Sequence, residues 1–468
     1  MVPPNPSSNT LRISYAVFRS KTGIKKGFGR IETIKIEDLN HQGKGVGRPI
    51  EGTQNKGKAC FIAGALPGET VRWRRTNSKR SYDEGELIEV LEPSPDRVTP
   101  KCQYVQQCGG CELQHLESSA QLSAKQEQLK RTFAREGIEP ESWLPPIAGK
   151  PWEYRRRTRL AVEFSKSNIF VGYRQHRSRK IVSIDSCVVL EPALNKLVQP
   201  LRELLSQTDT VGLKQAKLDQ IELVAGDHQT AVCFAVKKMP DDDTQQALQA
   251  FCAKQGAQCW VREGRGAPQP LGYTDDECAP LQTQLTDDLH MQFTPAQFVQ
   301  NNAEMNRKMI AQAMQLLDVQ PEHKTLDLFC GAGNFSLPIA KAAKRMLGVE
   351  GLPNLIAQAD MNATREGLEN TEFKVVDLSK EGALKGKAFA KGAFDRILLD
   401  PPRTGAKELI PALVRMAAPK LVYISCHPAT MVRDAKILTE GGYTLSKSGV
   451  IDMFPQTTHL EAIALFEQ

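Results

Sequence analysis

The chain has 468 residues, of which 40% are hydrophobic and 25% are charged, and its formal net charge is +7. Its length exceeds what one hydrophobic core accommodates, and its composition excludes a disordered chain. No apolar run approaches the length of about 20 residues that a membrane span needs, and the first residues lack the apolar core of a secretory signal. We therefore expect a cytoplasmic protein without membrane contacts, whose eleven cysteines do not form a disulfide framework.

The first part of the chain is predicted to be a basic arm followed by a small barrel. Residues 1–30 are rich in Pro, Ser, Lys and Arg and contain no acidic side chain, which is typical of a flexible arm. From residue 31, short stretches with strand character alternate with turn residues, as in IETIKIEDL, VRWRR and GELIEVLEP. This pattern predicts a β-barrel over 31–93, and PSPDRVTP (93–100) resembles a linker in composition.

Three further basic runs follow the arm: RWRRTNSKR, YRRRTR and YRQHRSRK, which begin at residues 72, 154 and 173. A single basic run is usually a solvated surface. Because aromatic residues Trp73, Tyr154 and Tyr173 are interleaved with the charges, the four segments together favour a polyanion whose bases can stack on the protein.

A cluster of cysteines comes directly after the linker. CQYVQQCGGC contains Cys102, Cys108 and Cys111 within ten residues. Three thiols this close together in a reducing compartment indicate metal binding. The spacing alone leaves both a tetrahedral zinc site and a [4Fe–4S] cluster open.

A mixed central domain is predicted over 94–290. LESSAQLSAKQEQLKRTFARE (116–136) indicates a helix with Leu122, Leu129 and Phe133 near one face. RLAVEF, NIFVGY and HQTAVCFAV then indicate strands among two helical stretches, as in an α+β domain.

The last domain, 291–468, is predicted to be a doubly wound parallel sheet. KTLDLFCG, RMLGVEG, FKVVDL, FDRILLDPP and LVYISCHP are apolar strands that end in small or polar residues, and helical stretches separate most of them. Such sheets bind ligands beyond the carboxyl ends of their strands. Glu350, Asp377, Asp400 and Cys426 all occupy such ends.

The first of these strands leads into a glycine-rich loop, CGAGNFSLPIA, which is suited to an adenosine. Gly331 and Gly333 allow the backbone to approach a ligand closely, and Glu350, 19 residues after Gly331, is suited to a ribose diol. Asp377 could accept a hydrogen bond from an adenine amino group. The loop lacks the residues that grip phosphate, which favours S-adenosylmethionine over NAD, because GAGN does not complete GxGxxG.

The thiol of Cys426 raises two alternatives. Buried cysteines often fill a core, and Leu421–Ile424 before it form an apolar strand. A cysteine at the end of a strand beside a predicted cofactor pocket is instead suited to nucleophilic attack. His427 receives no catalytic role, because adjacent residues of an extended segment point to opposite sides.

Four motifs, LDLFCGAGNFSL, DPPR, SCHP and HLEAIALF, occur in this order, and together they resemble the RNA uracil-C5 methyltransferases. The resemblance covers about 31–468 and is greatest to the branch that methylates 23S rRNA, the uridine-1939 class. It implies a TRAM barrel, an iron–sulfur central domain and a Rossmann-like domain that binds S-adenosylmethionine. It also implies a monomer that acts on 23S rRNA and not on DNA.

The resemblance further implies roles for individual residues. Cys426 corresponds to the nucleophile that adds to uracil C6, and Glu461 corresponds to the base that removes the C5 proton. The residues that correspond to cofactor contacts are Gln300, Phe329, Asn334, Glu350, Asp377 and Asp400. Phe298 is expected to stack on the extruded target base, with a place in the core as its alternative, and Arg403 is expected to orient uracil or phosphate.

For the metal site, the resemblance adds Cys187 as the fourth ligand. It favours [4Fe–4S] over zinc, with a structural or RNA-positioning role. Two other functions stay open: the same chemistry on tRNA or on another rRNA uridine, and a metal-stabilised RNA-binding module without activity. The latter predicts a damaged nucleophile or base, and both residues are intact.

Overall fold

The computed structural model describes residues 29, 31–49, 58–165, 168–176, 178–206, 211–273 and 278–468. Apart from Gly29, the predicted basic arm lies outside the described residues. The strands before the first long helix are β1 Ile31–Leu39, β2 Lys44–Pro49, β3 Ala59–Ala63, β4 Thr70–Ser78 and β5 Tyr82–Glu92. The next elements are α1 Ser118–Arg135, β6 Ser142–Trp143, β7 Arg157–Phe164, β8 Ile169–Arg174, β9 Ile181–Ser183, α2 Pro192–Ser206, α3 Val211–Gln215, β10 Gln220–Ala225, β11 Thr230–Val236, α4 Asp242–Gln255, β12 Ala257–Glu263, β13 Gln269–Pro270, β14 Leu281–Thr286 and β15 Leu289–Phe293.

The remaining elements form the C-terminal part of the chain. They are α5 Ala303–Leu317, β16 Lys324–Leu328, α6 Ser336–Ala342, β17 Arg345–Glu350, α7 Pro353–Arg365, β18 Thr371–Val375, a 3₁₀ turn Lys387–Phe389, β19 Arg396–Leu399, α8 Ile410–Met416, β20 Lys420–Ser425, α9 Pro428–Glu440, β21 Thr444–Ile451 and β22 Glu461–Glu467. Within the described ranges, no helix has the length and apolarity to cross a membrane.

The chain divides into two compact units, one comprising residues up to Pro100 with Glu112–Ala120, and the other comprising Lys101–Cys111 with Gln121–Gln468. In the first unit, β1–β5 close into a barrel in the order β1-β2-β3-β5-β4, which confirms the predicted small barrel. Alternate residues of its strands point inward, and the core includes Ile34, Val71 and Trp73. A Cβ atom at Gly85 would lie 2.2 Å from the Trp73 ring, so the neighbouring strand requires glycine there.

The segment predicted as a linker is fastened to the barrel. Arg97 donates to the Glu69 carboxylate at 2.8 Å and to the Gly64 carbonyl at 2.6 Å, and the backbone N–H of Ser94 reaches Glu69 at 3.2 Å. Glu69 is fully buried, and a buried carboxylate requires such partners. The composition of residues 93–100 therefore predicts a loop, but it does not reveal the ion pair between Arg97 and Glu69 that holds this segment.

The central part of the second unit is a seven-stranded sheet in the order β13-β12-β11-β10-β7-β8-β9. Its strands include the three predicted from RLAVEF, NIFVGY and HQTAVCFAV. Apolar residues of α2, among them Leu194, Leu197 and Leu201, and residues of α4 complete one core on this sheet. The result is the α+β arrangement that the sequence predicts.

An eight-stranded sheet with the order β18-β17-β16-β19-β20-β22-β21-β6 forms the C-terminal part of the second unit. Strands β16–β20 are mutually parallel and alternate with helices, as predicted, whereas β22 is antiparallel to both β20 and β21. Leu129 and Phe133 of α1 pack in the core of this sheet, and β6 pairs with β21. Helix α1 therefore packs on the last sheet, although the sequence pattern assigns it to 94–290. The predicted domain limits stay predictions.

Candidate active site

The carboxyl ends of the parallel strands bring several of the predicted residues to one edge of the C-terminal sheet. Glu350 is the last residue of β17, and Asp400 directly follows Leu399, the last residue of β19. Strand β22 runs in the opposite direction, so its first residue, Glu461, lies at this same edge. Residues that are far apart in the sequence therefore meet because of the order and direction of the strands.

Cys426 and Glu461 occupy opposing positions at this edge. Ser425 and Ala462 form the last pair between β20 and β22, and the next positions on the two strands are Cys426 and Glu461. Opposing residues of an antiparallel pair have Cβ atoms about 4.5–5.5 Å apart. Cys426 is half-buried, and Glu461 is only 5% exposed. The thiol, which retains contact with solvent, therefore lies close enough to the buried carboxyl group for Glu461 to contribute to the raised pKa of Cys426.

The charges at this edge favour a cationic ligand. Burial raises the pKa of Cys426 to about 11, with further contributions from Glu461 and Asp400 and an opposing one from Arg403. Burial also raises the pKa of Asp400 to about 7 and holds the pKa of Glu461 well above its usual value, with Asp400 adding to the latter. A positive charge among these groups would stabilise their ionised forms. The raised pKa of Glu461 also suits a general base.

The loop after β16 has the conformation of a close-approach turn. Gly331 and Gly333 both have positive φ, +56° and +105°, which residues with a Cβ atom rarely adopt. Phe329, a predicted cofactor contact, also has a positive φ of 63° and is half-buried. A left-handed bulky residue carries strain, and such strain concentrates at functional sites.

Glu350 is oriented by backbone N–H groups from two segments, the glycine loop and the residue that follows β17. Its carboxylate accepts hydrogen bonds from the N–H groups of Gly331 at 3.3 Å and Gly351 at 2.7 Å. Asp377 lies two residues beyond the end of β18, where it is exposed and accepts a hydrogen bond from the Ser379 hydroxyl at 2.6 Å. Hydrogen bonding to Ser379 holds the pKa of Asp377 below its usual range, so this residue is a permanent acceptor at neutral pH.

Asn334 contacts helix α5, and Gln300 lies just before the start of that helix. The amides of Asn334 and Asn306 bond reciprocally at 2.8 and 3.1 Å, which connects the glycine loop to α5. Gln300 is half-buried in the segment that leads from β15 into α5.

Phe298, in the same segment, is 66% exposed, so its alternative place in the core is wrong. The residue before it, Gln297, is buried, and its carbonyl accepts a hydrogen bond from Arg157. Arg157 also donates to the Pro295 carbonyl at 2.8 Å. The residues directly before Phe298 are therefore fixed, while its large aromatic ring remains in solvent, where it can meet a base.

Arg403 is exposed, and its guanidinium lies 3.3 Å from Nδ1 of His459. The DPPR motif is thereby connected to the residue two positions before Glu461. Burial, together with the charge of Arg403, lowers the pKa of His459, so its imidazole is neutral at physiological pH.

Two of the three aromatic residues interleaved with the basic runs are not available for stacking on a base. Trp73 is 1% exposed and Tyr154 is 4% exposed, so neither ring can stack on a base. Arg72 on β4 pairs with Glu89 at 3.1 Å, and Arg156 pairs with Asp227 at 2.8 Å. Counting charges in the sequence misses these carboxylates, because each one lies on another strand or loop.

The four predicted metal-binding cysteines, Cys102, Cys108, Cys111 and Cys187, are all half-buried. The backbone N–H of Tyr104 lies 3.4 Å from Sγ of Cys102, and Cys187 is close enough to contribute to the raised pKa of Cys102, of which burial is the main cause. Within the described ranges, no group of three or more His, Cys, Asp or Glu side chains is arranged to hold a metal ion. Cys187 thus lies near the cysteine run, but the ligand set is not assembled.

Two residues of the site escaped the sequence analysis. Asp327 is buried within β16, accepts a hydrogen bond from the Ser336 hydroxyl at 2.5 Å, and has its pKa raised to about 7 by burial. A lone acid inside an apolar strand was the available signal. The second is His459, whose proximity to Arg403 depends on the course of the loop before β22, which the sequence does not reveal.

The reactivity of Cys426 should respond to its charged neighbours. Asp400→Asn removes a negative charge that disfavours the thiolate, so the pKa of Cys426 should fall and alkylation by iodoacetamide at pH 8.5 should accelerate. Arg403→Met removes a favourable positive charge, so alkylation should slow. A half-unit change in pKa corresponds to about a threefold change in rate. Mass spectrometry of the alkylated peptide measures both rates, and two changes in the same direction would contradict the assigned electrostatics.

Comparison with known proteins gives consistent matches along the chain. The family model "tRNA (Uracil-5-)-methyltransferase" matches residues 117–468, and the TRAM domain model matches 26–88. A 23S rRNA (uracil(1939)-C(5))-methyltransferase, RlmD, from Alcanivorax borkumensis is 40% identical over 93% of this chain and 96% of its own length. The protein of the same name from Shewanella sediminis is 39% identical over 96% and 99% of the two chains.

A solved structure with a similar fold is the tRNA (uracil-54, C5)-methyltransferase of Pyrococcus abyssi in complex with S-adenosyl-L-homocysteine. It superimposes with a TM-score of 0.70 at 25% identity and covers 93% of this chain and 99% of its own.

Proposed function

Since the chain belongs to the tRNA (uracil-5-)-methyltransferase family and is an S-adenosylmethionine-dependent RNA uracil-5-methyltransferase, we propose that its substrate is 23S rRNA, at a uridine of the 1939 class. Relatives at 39–40% identity over nearly the whole chain are named for that uridine. A second candidate substrate is tRNA, because the solved neighbour acts on tRNA uracil-54, but its identity to this chain is only 25%.

The observation that carries the mechanism is the opposition of Cys426 and Glu461 at the ends of β20 and β22. Uracil C5 is a poor nucleophile. The thiolate of Cys426 adds to C6, the C5–C6 double bond opens, and C5 becomes an enolate carbon able to attack a methyl group. S-adenosylmethionine supplies this methyl group when bound.

Glu461 completes the reaction. After methylation, C5 carries both the new methyl group and its original proton. Glu461 removes that proton, the C5–C6 double bond forms again, and the bond from C6 to the sulfur of Cys426 breaks. A buried carboxylate with a raised pKa can accept a proton from carbon and later release it to solvent.

The pocket at the strand ends is assigned to S-adenosylmethionine. Glu350 is held by backbone N–H groups in an orientation suited to a ribose diol, and Asp377 accepts hydrogen bonds at neutral pH. Asp400, beside Cys426 and Glu461, supplies negative charge toward a sulfonium. The remaining proposed contacts are Gln300, Phe329 and Asn334. Phe298 stacks on the extruded uracil, and Arg403 orients it.

Methylation of defined RNAs tests the substrate. The purified protein is incubated with unmodified 23S rRNA or tRNA transcripts and S-adenosylmethionine that carries a labelled methyl group. The position of 5-methyluridine in each RNA is then mapped. We expect label at one uridine of 23S rRNA. The rate on tRNA should be at least about a hundredfold lower, which corresponds to a difference of about 3 kcal/mol in transition-state binding between the two RNAs. Preferential labelling of tRNA would overturn the proposed substrate.

We further propose that Cys102, Cys108, Cys111 and Cys187 hold a [4Fe–4S] cluster. Four thiols suit such a cluster, and the N–H of Tyr104 directed at Sγ of Cys102 is the kind of hydrogen bond that stabilises a thiolate ligand. Protein purified without oxygen should contain about four iron and four sulfide per chain and absorb near 400 nm. Cys187→Ser should lose this absorbance, whereas Cys278→Ser should keep it. Stoichiometric zinc in colourless protein would contradict the cluster.

A further inference from the structure

The loop between β21 and β22, residues 452–460, leads directly into Glu461, and its first half is held by side chains from elsewhere in the chain. Five consecutive residues of this loop, which we call the base loop, each contact such a side chain. Lys125 donates to the Asp452 carboxylate at 2.6 Å and to the Phe454 carbonyl at 3.1 Å. Asn302 donates to the Met453 carbonyl at 3.3 Å, and the Tyr154 hydroxyl donates to the Pro455 carbonyl at 2.9 Å. The Gln121 side chain accepts from the backbone N–H of Gln456 at 2.9 Å and donates to its side chain at 3.0 Å.

The holding side chains are polar and buried. Lys125 is 2% exposed, and Gln121, Tyr154 and Asn302 are also buried. Lysine and glutamine are rarely buried completely, because they lose hydration and side-chain entropy. Loops usually lie on the surface and take their hydrogen bonds from water. The base loop instead receives a buried side-chain partner at each of its first five positions.

The conformation that these contacts impose is strained. Gln456 has a φ of +68°, in the left-handed region that a residue with a Cβ atom enters at a cost of about 1 kcal/mol. The bidentate contact with Gln121 holds it there. Beyond Gln456 the loop continues to His459, which lies 3.3 Å from Arg403, and then to Glu461.

We propose that Gln121, Lys125 and Tyr154 are positioning residues for Glu461. They fix the base loop and thereby the carboxylate opposite Cys426, while Cys426 itself directly follows β20. This inference rests on the proposed function, since it assigns proton removal to Glu461. It predicts that loss of a holding contact slows proton removal and release of the product but leaves the addition of Cys426 to RNA unchanged.

Tyr154→Phe is the sharpest test, because it removes one hydroxyl group and leaves the ring in its core. We expect kcat to fall about tenfold with the KM for RNA within twofold of its original value, and a methylated RNA–protein adduct that resists denaturation to accumulate about fivefold. Tyr443→Phe is the matched control, because the buried Tyr443 hydroxyl also donates to one backbone carbonyl, that of Ala418 at 3.0 Å. It should change neither quantity.

Lys125→Met and Lys130→Met form a second matched pair on the same helix. Lys130 pairs with Glu127 at the surface, so only the first substitution should raise the adduct fraction, and Lys125→Arg should partly restore turnover. The proposal would be overturned if adduct formation and turnover fell in equal proportion in Tyr154→Phe and Lys125→Met. It would also be overturned if the adduct level were unchanged in both variants.

Hydrogen exchange separates this inference from the catalytic assignment. Peptides covering 452–460 should exchange at least about threefold faster in Tyr154→Phe, whereas 421–426 should not change. If Glu461→Gln forms no adduct, the role of Glu461 fails, and the exchange result still decides whether the side chains fix the loop. Equal exchange in the two proteins would overturn the positioning role by itself.

Discussion

Cys426→Ala should abolish methyl transfer, with a loss of about 10⁴-fold or more, because it removes the sulfur that is assigned to add to uracil C6. Transfer of a labelled methyl group to RNA is the measurement. Binding of S-adenosyl-L-homocysteine should stay within about threefold of the original affinity, because the thiol is assigned no role in holding the adenosine.

Cys330→Ala is the matched control for this prediction. Cys330 lies two residues beyond the end of β16, which β19 separates from β20 in the sheet. It is 3% exposed, and burial holds the pKa of its thiol well above the usual value. Most of the activity should remain in this variant. If activity persisted in Cys426→Ala and disappeared in Cys330→Ala, the assignment of the nucleophile to Cys426 would be wrong.

Glu461→Gln should separate addition from release. The amide cannot accept the C5 proton, so the enzyme should methylate once and remain bonded to its RNA, while multiple turnover falls by about 10²–10⁴-fold. A band of protein joined to RNA on a denaturing gel, absent from the double variant with Cys426→Ala, is the expected result.

Glu467→Gln, at the other end of β22, is the control for this substitution. Its carboxylate lies 3.8 Å from Lys420, far along the strand from Cys426, so turnover should be unaffected. Rapid turnover by Glu461→Gln without an adduct would mean that another group removes the proton. Asp400 would then be the first residue to test, because its pKa of about 7 also suits a base.

The positions of the main groups could be predicted because the ends of parallel strands are visible in a sequence. Apolar runs that end at Glu350, Asp400 and Cys426 predict one shared edge, and the structure brings these residues there. Glu461 is different. It joins the same edge only because β22 is antiparallel, and the sequence pattern does not reveal that direction, so its assignment depended on the resemblance.

The functions of the buried polar residues could not be predicted, because their partners are distant in the sequence. In the sequence Arg157 belongs to a basic run, yet in the structure it pairs with Glu222 at 2.7 Å and fixes the segment that carries Phe298. Tyr154 was expected to stack on a base, yet its hydroxyl bonds to Pro455, about 300 residues later. Composition records the charge and the ring, but only the fold determines which group each one meets.

The central claim is that the sulfur of Cys426 bonds to the pyrimidine, and RNA that contains 5-fluorouridine tests it most directly. Fluorine at C5 cannot leave as a proton does, so Glu461 has nothing to remove and the adduct persists. Trypsin then releases Leu421–Arg433, which contains one cysteine. We predict that mass spectrometry finds the methylated fluorinated nucleotide on Cys426 of this peptide. A nucleotide bonded to any other cysteine, or an unmodified peptide from an enzyme stalled on this RNA, would contradict the account.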